Sequence, residues 1–255
     1  MKRYCIEIAF DGTNYHGWQN QPNDISVQEV LEKNMSVLFQ HKIILVGASR
    51  TDAGVHIQQT YAHFDTEKEL PTQMMRRLNF MLPPDIVVKN LRPVSPTFHT
   101  RFDAIQRTYH YYICYQKNPF NTNRVYLYPY DKLNVEAMNE ACAFFKTCYN
   151  FEAFCKRNAD NKTTHCRIDL MQWTLQNEND LVFCVKADRY LRGMVKGLVG
   201  TMIKVGRGIY SLKDLEKLMA SQDKSMVSFA VPGSALYLTE VLYGKEFYDI
   251  PVLLF

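Results

Sequence analysis

Glycine is scarce, with 11 residues in 255, and the cysteines follow no ligand pattern. The seven (Cys5, Cys114, Cys142, Cys148, Cys155, Cys166 and Cys184) are odd in number, and no two stand at the two-residue spacing of a zinc pair or a redox motif. The closest group, Cys142, Cys148, Cys155 and Cys166, therefore reads as buried thiols before it reads as a metal cluster. No apolar run approaches the length of a membrane span. The opening Met-Lys-Arg-Tyr-Cys passes straight into alternation, without the apolar centre of a signal peptide. These absences exclude a disulfide scaffold and a helical membrane protein, and they lead us to expect reduced thiols and a cytoplasmic location. No low-complexity linker divides the chain, and no Gly-x-Ser-x-Gly elbow supplies a serine nucleophile.

Aromatic and apolar residues are abundant: 16 Tyr, 15 Phe and a hydrophobic share of 47%. That is enough for a large core, organised as one large domain or two small ones. Surplus aromatic faces can also stack on bases. The net charge of +4 suits a polyanionic partner without requiring one.

Period-2 alternation predicts strands over 4–10, 59–64, 85–91, 107–115 and 236–243, and a hairpin of 167–175 with 181–187. The apolar run 42–48 predicts a further strand. Ser26-Val27-Gln28-Glu29 reads as a capping box opening a helix. Helices are also expected over 71–82, from Asn134 to 145, over 192–205 and over 211–219. Interleaved strands and helices with a hairpin imply an α+β fold with a mixed, largely antiparallel sheet flanked by helices. The polar stretch 115–132 places the expected subdomains at 1–115 and 116–255.

Three segments can carry chemistry. Ala48-Ser49-Arg50-Thr51-Asp52-Ala53-Gly54-Val55-His56 leaves an apolar run and enters a glycine loop. On an extended backbone Arg50 and Asp52 share a face, and a neighbouring cation favours the charged form of a carboxylate. Such a carboxylate can act as nucleophile or base, or it can simply cap the loop. An Asp52–His56 hydrolase pair is a weaker alternative, since no nucleophile accompanies it. In 98–112 basic and aromatic residues interleave, as in surfaces that pair with phosphates and stack on bases. In 190–200 the glycines Gly193, Gly197 and Gly200 form a close-packing stripe, with Arg192 and Lys196 four apart.

Taken together these segments resemble the TruA family of tRNA pseudouridine synthases. Phe10-Asp11-Gly12-Thr13-Asn14-Tyr15-His16-Gly17-Trp18-Gln19-Asn20-Gln21 is similar to the family's first signature, and 50–56 to its catalytic motif. The segments 98–112, 150–154, 194–196 and 235–238 resemble later blocks. Two departures stand out. Ser49 replaces the Gly that usually precedes Arg-Thr-Asp, and Gly193-Met194-Val195-Lys196-Gly197 stands where His-Met-Val-Arg-Asn is more usual. Lys keeps the charge but loses the planar fork of Arg.

The resemblance implies a pseudouridine synthase fold of two similar subdomains. It implies isomerisation of uridine to pseudouridine in the anticodon stem-loop of tRNA, at positions 38–40, without cofactor or metal. Asp52 is then the catalytic carboxylate, and Tyr109 the ring that stacks on the target base. Arg50 holds the displaced RNA or helps the flip, and Lys196 is the best candidate counter-ion of Asp52. The resemblance also implies a homodimer whose basic cleft spans both subunits, with Arg50, Arg76, Arg77, Arg101 and Arg107 as groove candidates. The alternative is a non-catalytic RNA-binding protein on the same scaffold.

Overall fold

The computed structural model describes residues 1–156 and 162–253. Packing divides the chain into two compact units, Met1–Ile105 with Tyr237–Phe255, and Gln106–Leu236. The strand expected to end the first subdomain at 115 thus falls in the second unit, and the C-terminal strand returns to the first.

The first unit begins with β1 (Lys2–Phe10), α1 (Val27–Phe39), β2 (Val46–Gly47), β3 (His56–Thr66), α2 (Met74–Met81) and β4 (Ile86–Val94). The second holds β5 (Gln106–Cys114), β6 (Tyr126–Leu127), α3 (Val135–Thr147), β7 (Ile168–Leu175), β8 (Asp180–Ala187), α4 (Met194–Gly206) and α5 (Leu212–Ser221). The chain then enters β9 (Leu236–Leu242) and α6 (Lys245–Asp249).

In the first unit β1 pairs antiparallel with both β3 and β4, and β9 joins β3 in parallel through His56 opposite Tyr237. Pro93 sits near the end of β4, an edge position in this unit's pairing, where a missing N–H is tolerated. In the second unit β8 pairs antiparallel with β5 and β7, and β6 runs parallel to the end of β5. Antiparallel pairing predominates, and helices accompany both sets of strands, so the α+β expectation holds.

Local signals account for most element ends. The Ser26 hydroxyl accepts the Glu29 N–H at 3.1 Å and donates to Asn20 Oδ1 at 2.7 Å. Asn134 caps α3 through the Ala137 N–H. Ser211 and Asp214 form a reciprocal capping box at α5.

Three expectations need correction. Residues 42–45 are not a strand, although Ile43 and Leu45 are buried. Side chains of α1 take their backbone groups instead: Ser36 Oγ accepts from Ile43 N–H, Glu32 Oε1 accepts from Leu45 N–H, and Gln28 donates to the Leu45 carbonyl. Helix α2 starts at Met74, because Gln73 takes a left-handed conformation at φ 53°. Helix α4 starts at Met194, because Gly193 at φ 77° breaks the helical path, which leaves Arg192 outside the helix.

Of the four cysteines weighed as a cluster, Cys142, Cys148 and Cys166 are free thiols, and burial pushes the Cys142 and Cys166 thiols up to about 12. Among the described residues no group of three or more His, Cys, Asp or Glu is placed to hold a metal. Among the same residues no helix is long and apolar enough to cross a membrane.

Candidate active site

Asp52 lies on the loop between β2 and β3. The Ala48 N–H donates to the Tyr61 carbonyl at 2.8 Å, which ties the start of the loop to β3. Arg50 is exposed and Asp52 half-buried. The Val55 N–H then donates to the Asp52 carbonyl at 3.3 Å, and Gly54 takes φ 75°, so the loop reverses tightly into β3. This reversal is what requires the glycine of Asp-Ala-Gly-Val.

A second loop, 11–25, braces the first. The Gly54 N–H donates to the Tyr15 carbonyl at 3.1 Å. Gly12 lies against the Val55 carbonyl, and Gly17 against the carbonyls of Thr51 and Asp52, so closely that a Cβ on either would press into backbone. The brace is itself anchored. Asp85 accepts from the Tyr15 phenol at 2.6 Å and from the Asn14 amide at 3.1 Å, while its carbonyl accepts from Asp11 N–H at 2.9 Å. Burial and Asp85 together push the Tyr15 phenol upward. Trp18 stacks on Phe10 with centroids 6.3 Å apart, and its indole fills the space over Gly47. The spacing of Gly12 and Gly17 in the first signature is thus a fit to the Asp52 loop. Asp85, in a plain Pro-Pro-Asp stretch, had no signal in the sequence.

His56 belongs to the same scaffold. It is 3% exposed. Its Nδ1 lies 3.1 Å from both the Gly12 N–H, which donates to it, and Asp11 Oδ1. Its ring stacks on Tyr237 at 4.5 Å. These contacts tie the start of β3 to the bracing loop, a structural duty in place of the hydrolase pairing.

The braced loop makes a sharp prediction. Gly17→Ala combines left-handed strain with a clash against the Thr51 carbonyl, next to Asp52, whereas Gly208→Ala at φ 70° meets nothing within 4 Å. Gly208→Ala should cost about 1 kcal/mol, and Gly17→Ala about 3 kcal/mol or more. Thermal melts check the stability difference. A single-turnover assay should show a rate loss for Gly17→Ala alone.

The second unit holds the other candidates. Tyr109 sits in β5 opposite Val185 and is 7% exposed. The Tyr190 ring meets it edge to face at 5.0 Å. Tyr190 remains partly exposed, but its hydroxyl donates to the carbonyls of Val185 at 3.0 Å and Arg107 at 3.2 Å, and burial raises its phenol well above the ordinary range. Arg107 is only 7% exposed and donates to the Asp188 carbonyl, on the same face of β5 as Tyr109.

Lys196 lies half-buried in the first turn of α4. The glycine stripe is a packing face. Gly197 sits against Phe154 and Phe229, and Gly200 against the Ser228 carbonyl. Gln222 was not foreseen as a tie here; it accepts from Ala153 N–H at 2.7 Å and donates to the Asn150 carbonyl at 3.1 Å, holding the 150–154 segment.

Comparison with known proteins adds a consistent finding. A family model described as tRNA pseudouridine synthase matches residues 7–103 and 149–244. A tRNA pseudouridine synthase A of Bacteroides thetaiotaomicron is 44% identical, over 98% of this chain and 93% of its own. Its namesake in Porphyromonas gingivalis is 42% identical over 97% of this chain and all of its own. One from Thermoanaerobacter is 35% identical over 95% of this chain and all of its own.

Proposed function

Because the chain belongs to the tRNA pseudouridine synthase family, we propose that it converts uridine to pseudouridine at positions 38–40 of the tRNA anticodon stem-loop, with Asp52 as the catalytic carboxylate. The protein is an isomerase acting on tRNA. The uracil N1–C1′ bond breaks, the base turns, C5 bonds to C1′, and the proton on C5 leaves as N1 gains one. Atoms and charge balance without oxidant, reductant or donor group.

The observation that carries the role of Asp52 is its braced loop. Two glycine backbones, at Gly12 and Gly17, lie against the residues on either side of this half-buried carboxylate. A loop held so closely at both ends keeps one side chain in a fixed place, which a carboxylate reacting at a sugar carbon requires. Carboxylates stabilise or trap electron-poor anomeric carbons in glycoside hydrolysis, and the same chemistry suits C1′ here. The target base leaves its stack to be reached, and Tyr109 offers the ring to receive it. Arg50, exposed two residues before Asp52, is suited to hold the displaced strand. Lys196 serves as counter-ion to Asp52. Two copies of the chain form a cytoplasmic homodimer whose cleft holds the tRNA.

Two experiments test this reading. Pseudouridine mapping in tRNA from cells with and without the gene should show loss at 38–40 alone; unchanged maps would refute the assignment. Lys196→Met should lower kcat about 100-fold with little change in KM, and Lys196→Arg should restore most of it, since the charge alone is the requirement. A Lys196→Met variant with ordinary kcat would remove Lys196 from the site.

A further inference from the structure

Helix α2 turns a basic and aromatic face to solvent. Met74 and Leu78 are fully buried beneath it. Asn79 locks its rotation: the side-chain amide donates to the Val88 carbonyl at 2.8 Å, and its oxygen accepts the Val88 N–H at 2.8 Å. With the helix pinned this way, Phe80 projects outward and is 92% exposed. Arg76 and Arg77 stand four and three residues earlier, on the same side of the helix by its spacing, and both are exposed. Neither guanidinium makes an ion pair or hydrogen bond among the described residues. No acidic residue occupies the first turn of α2.

A single exposed Phe is ordinary. A bare ring beside two unneutralised arginines on a pinned helix is a different surface, since it offers a stacking plane next to two phosphate ligands. We propose that Arg76, Arg77 and Phe80 form a contact site for tRNA separate from the Asp52 loop. The guanidiniums pair with backbone phosphates, and the Phe80 ring stacks on an unpaired base. Charge decides against a second copy of the chain. A two-fold interface would set this face against itself and bring four guanidiniums together, whereas RNA supplies the opposite charge. The proposal rests on the tRNA substrate reading and deepens it.

The test uses the full-length enzyme and unmodified tRNA carrying the target uridine. Phe80→Ala should raise KM and Kd about tenfold, with kcat within about twofold, and Phe80→Trp should restore affinity. Arg76→Gln with Arg77→Gln should weaken binding and reduce the slope of log affinity against log salt by about 1.5. Melting temperatures should hold, because all three side chains are exposed. Unchanged affinity and salt slope in these variants, with the parent still binding and modifying tRNA, would overturn this contact site and leave the substrate reading intact. A parent that does not bind tRNA would instead defeat the substrate reading. A variant that changes the oligomeric state without changing tRNA affinity would assign the face to chain pairing and overturn the proposal.

Discussion

Asp52→Asn should lower single-turnover pseudouridine formation by about 10⁴-fold or more while tRNA affinity stays within about threefold. The change keeps the size of the side chain and removes its charge and its nucleophilic oxygen. Such a rate loss corresponds to about 5.5 kcal/mol of transition-state stabilisation. Affinity should survive because phosphate contacts elsewhere supply most of it. The fold should survive as well. The loop is held by backbone contacts from Gly12, Gly17 and Tyr15, and an amide side chain at 52 leaves those untouched. A melt indistinguishable from the parent, beside absent product, is the expected pair of results. Ordinary turnover by Asp52→Asn would remove the catalytic assignment on which the reaction mechanism rests.

The second large effect is expected at Tyr109, and two variants separate its possible duties. Tyr109→Phe keeps the ring and its edge-to-face contact with Tyr190. If the ring only stacks on the target base, this variant forms product at close to the parent rate. If the hydroxyl also moves the proton from C5, the variant binds tRNA and breaks the glycosidic bond but forms product about 10²–10⁴-fold more slowly. Tyr109→Leu removes the stacking plane and opens a gap beside Tyr190 in a buried stretch of β5. It should lose turnover under either duty and cost about 1–3 kcal/mol of stability. Single-turnover assays beside thermal melts distinguish the cases. A Tyr109→Leu enzyme with the parent's rate would take Tyr109 out of the reaction.

Much of the fold was legible because it is written at short range. Alternation in 4–10, 107–115 and 181–187 marked β1, β5 and β8 within a residue or two. Asn134 and Ser26 marked helix starts through bonds to N–H groups three residues away. The stretch 42–48 was misleading for the opposite reason. Its apolar pattern is genuine, and Ile43 and Leu45 are buried, but whether a buried backbone becomes a strand depends on who takes its hydrogen bonds. Three side chains of α1 take them, at separations of 7 to 17 residues that no periodicity announces. The helix expected over 192–205 was similarly overextended at its start, because a single left-handed glycine moves a helix start without altering the apolar pattern after it.

The candidate site divides along the same line. By itself the sequence determined the family, since Arg50-Thr51-Asp52-Ala53-Gly54-Val55-His56 and the ordered motifs around it are local strings that specify it. It also determined the α+β class, since strand and helix periods are read from neighbours. Only the tertiary structure decided what the other residues of those strings, and Asp85 outside them, are for. Gly12 and Gly17 are glycines because another loop's carbonyls occupy the place of a Cβ. His56 is a scaffold residue because Gly12, Asp11 and Tyr237 surround it. Asp85 matters because Tyr15 and Asn14 reach it from 70 and 71 residues away. Arg107 is held at the Asp188 carbonyl, 81 residues away. Contacts between distant segments depend on how the whole chain packs, and local residue spacing carries no record of that packing.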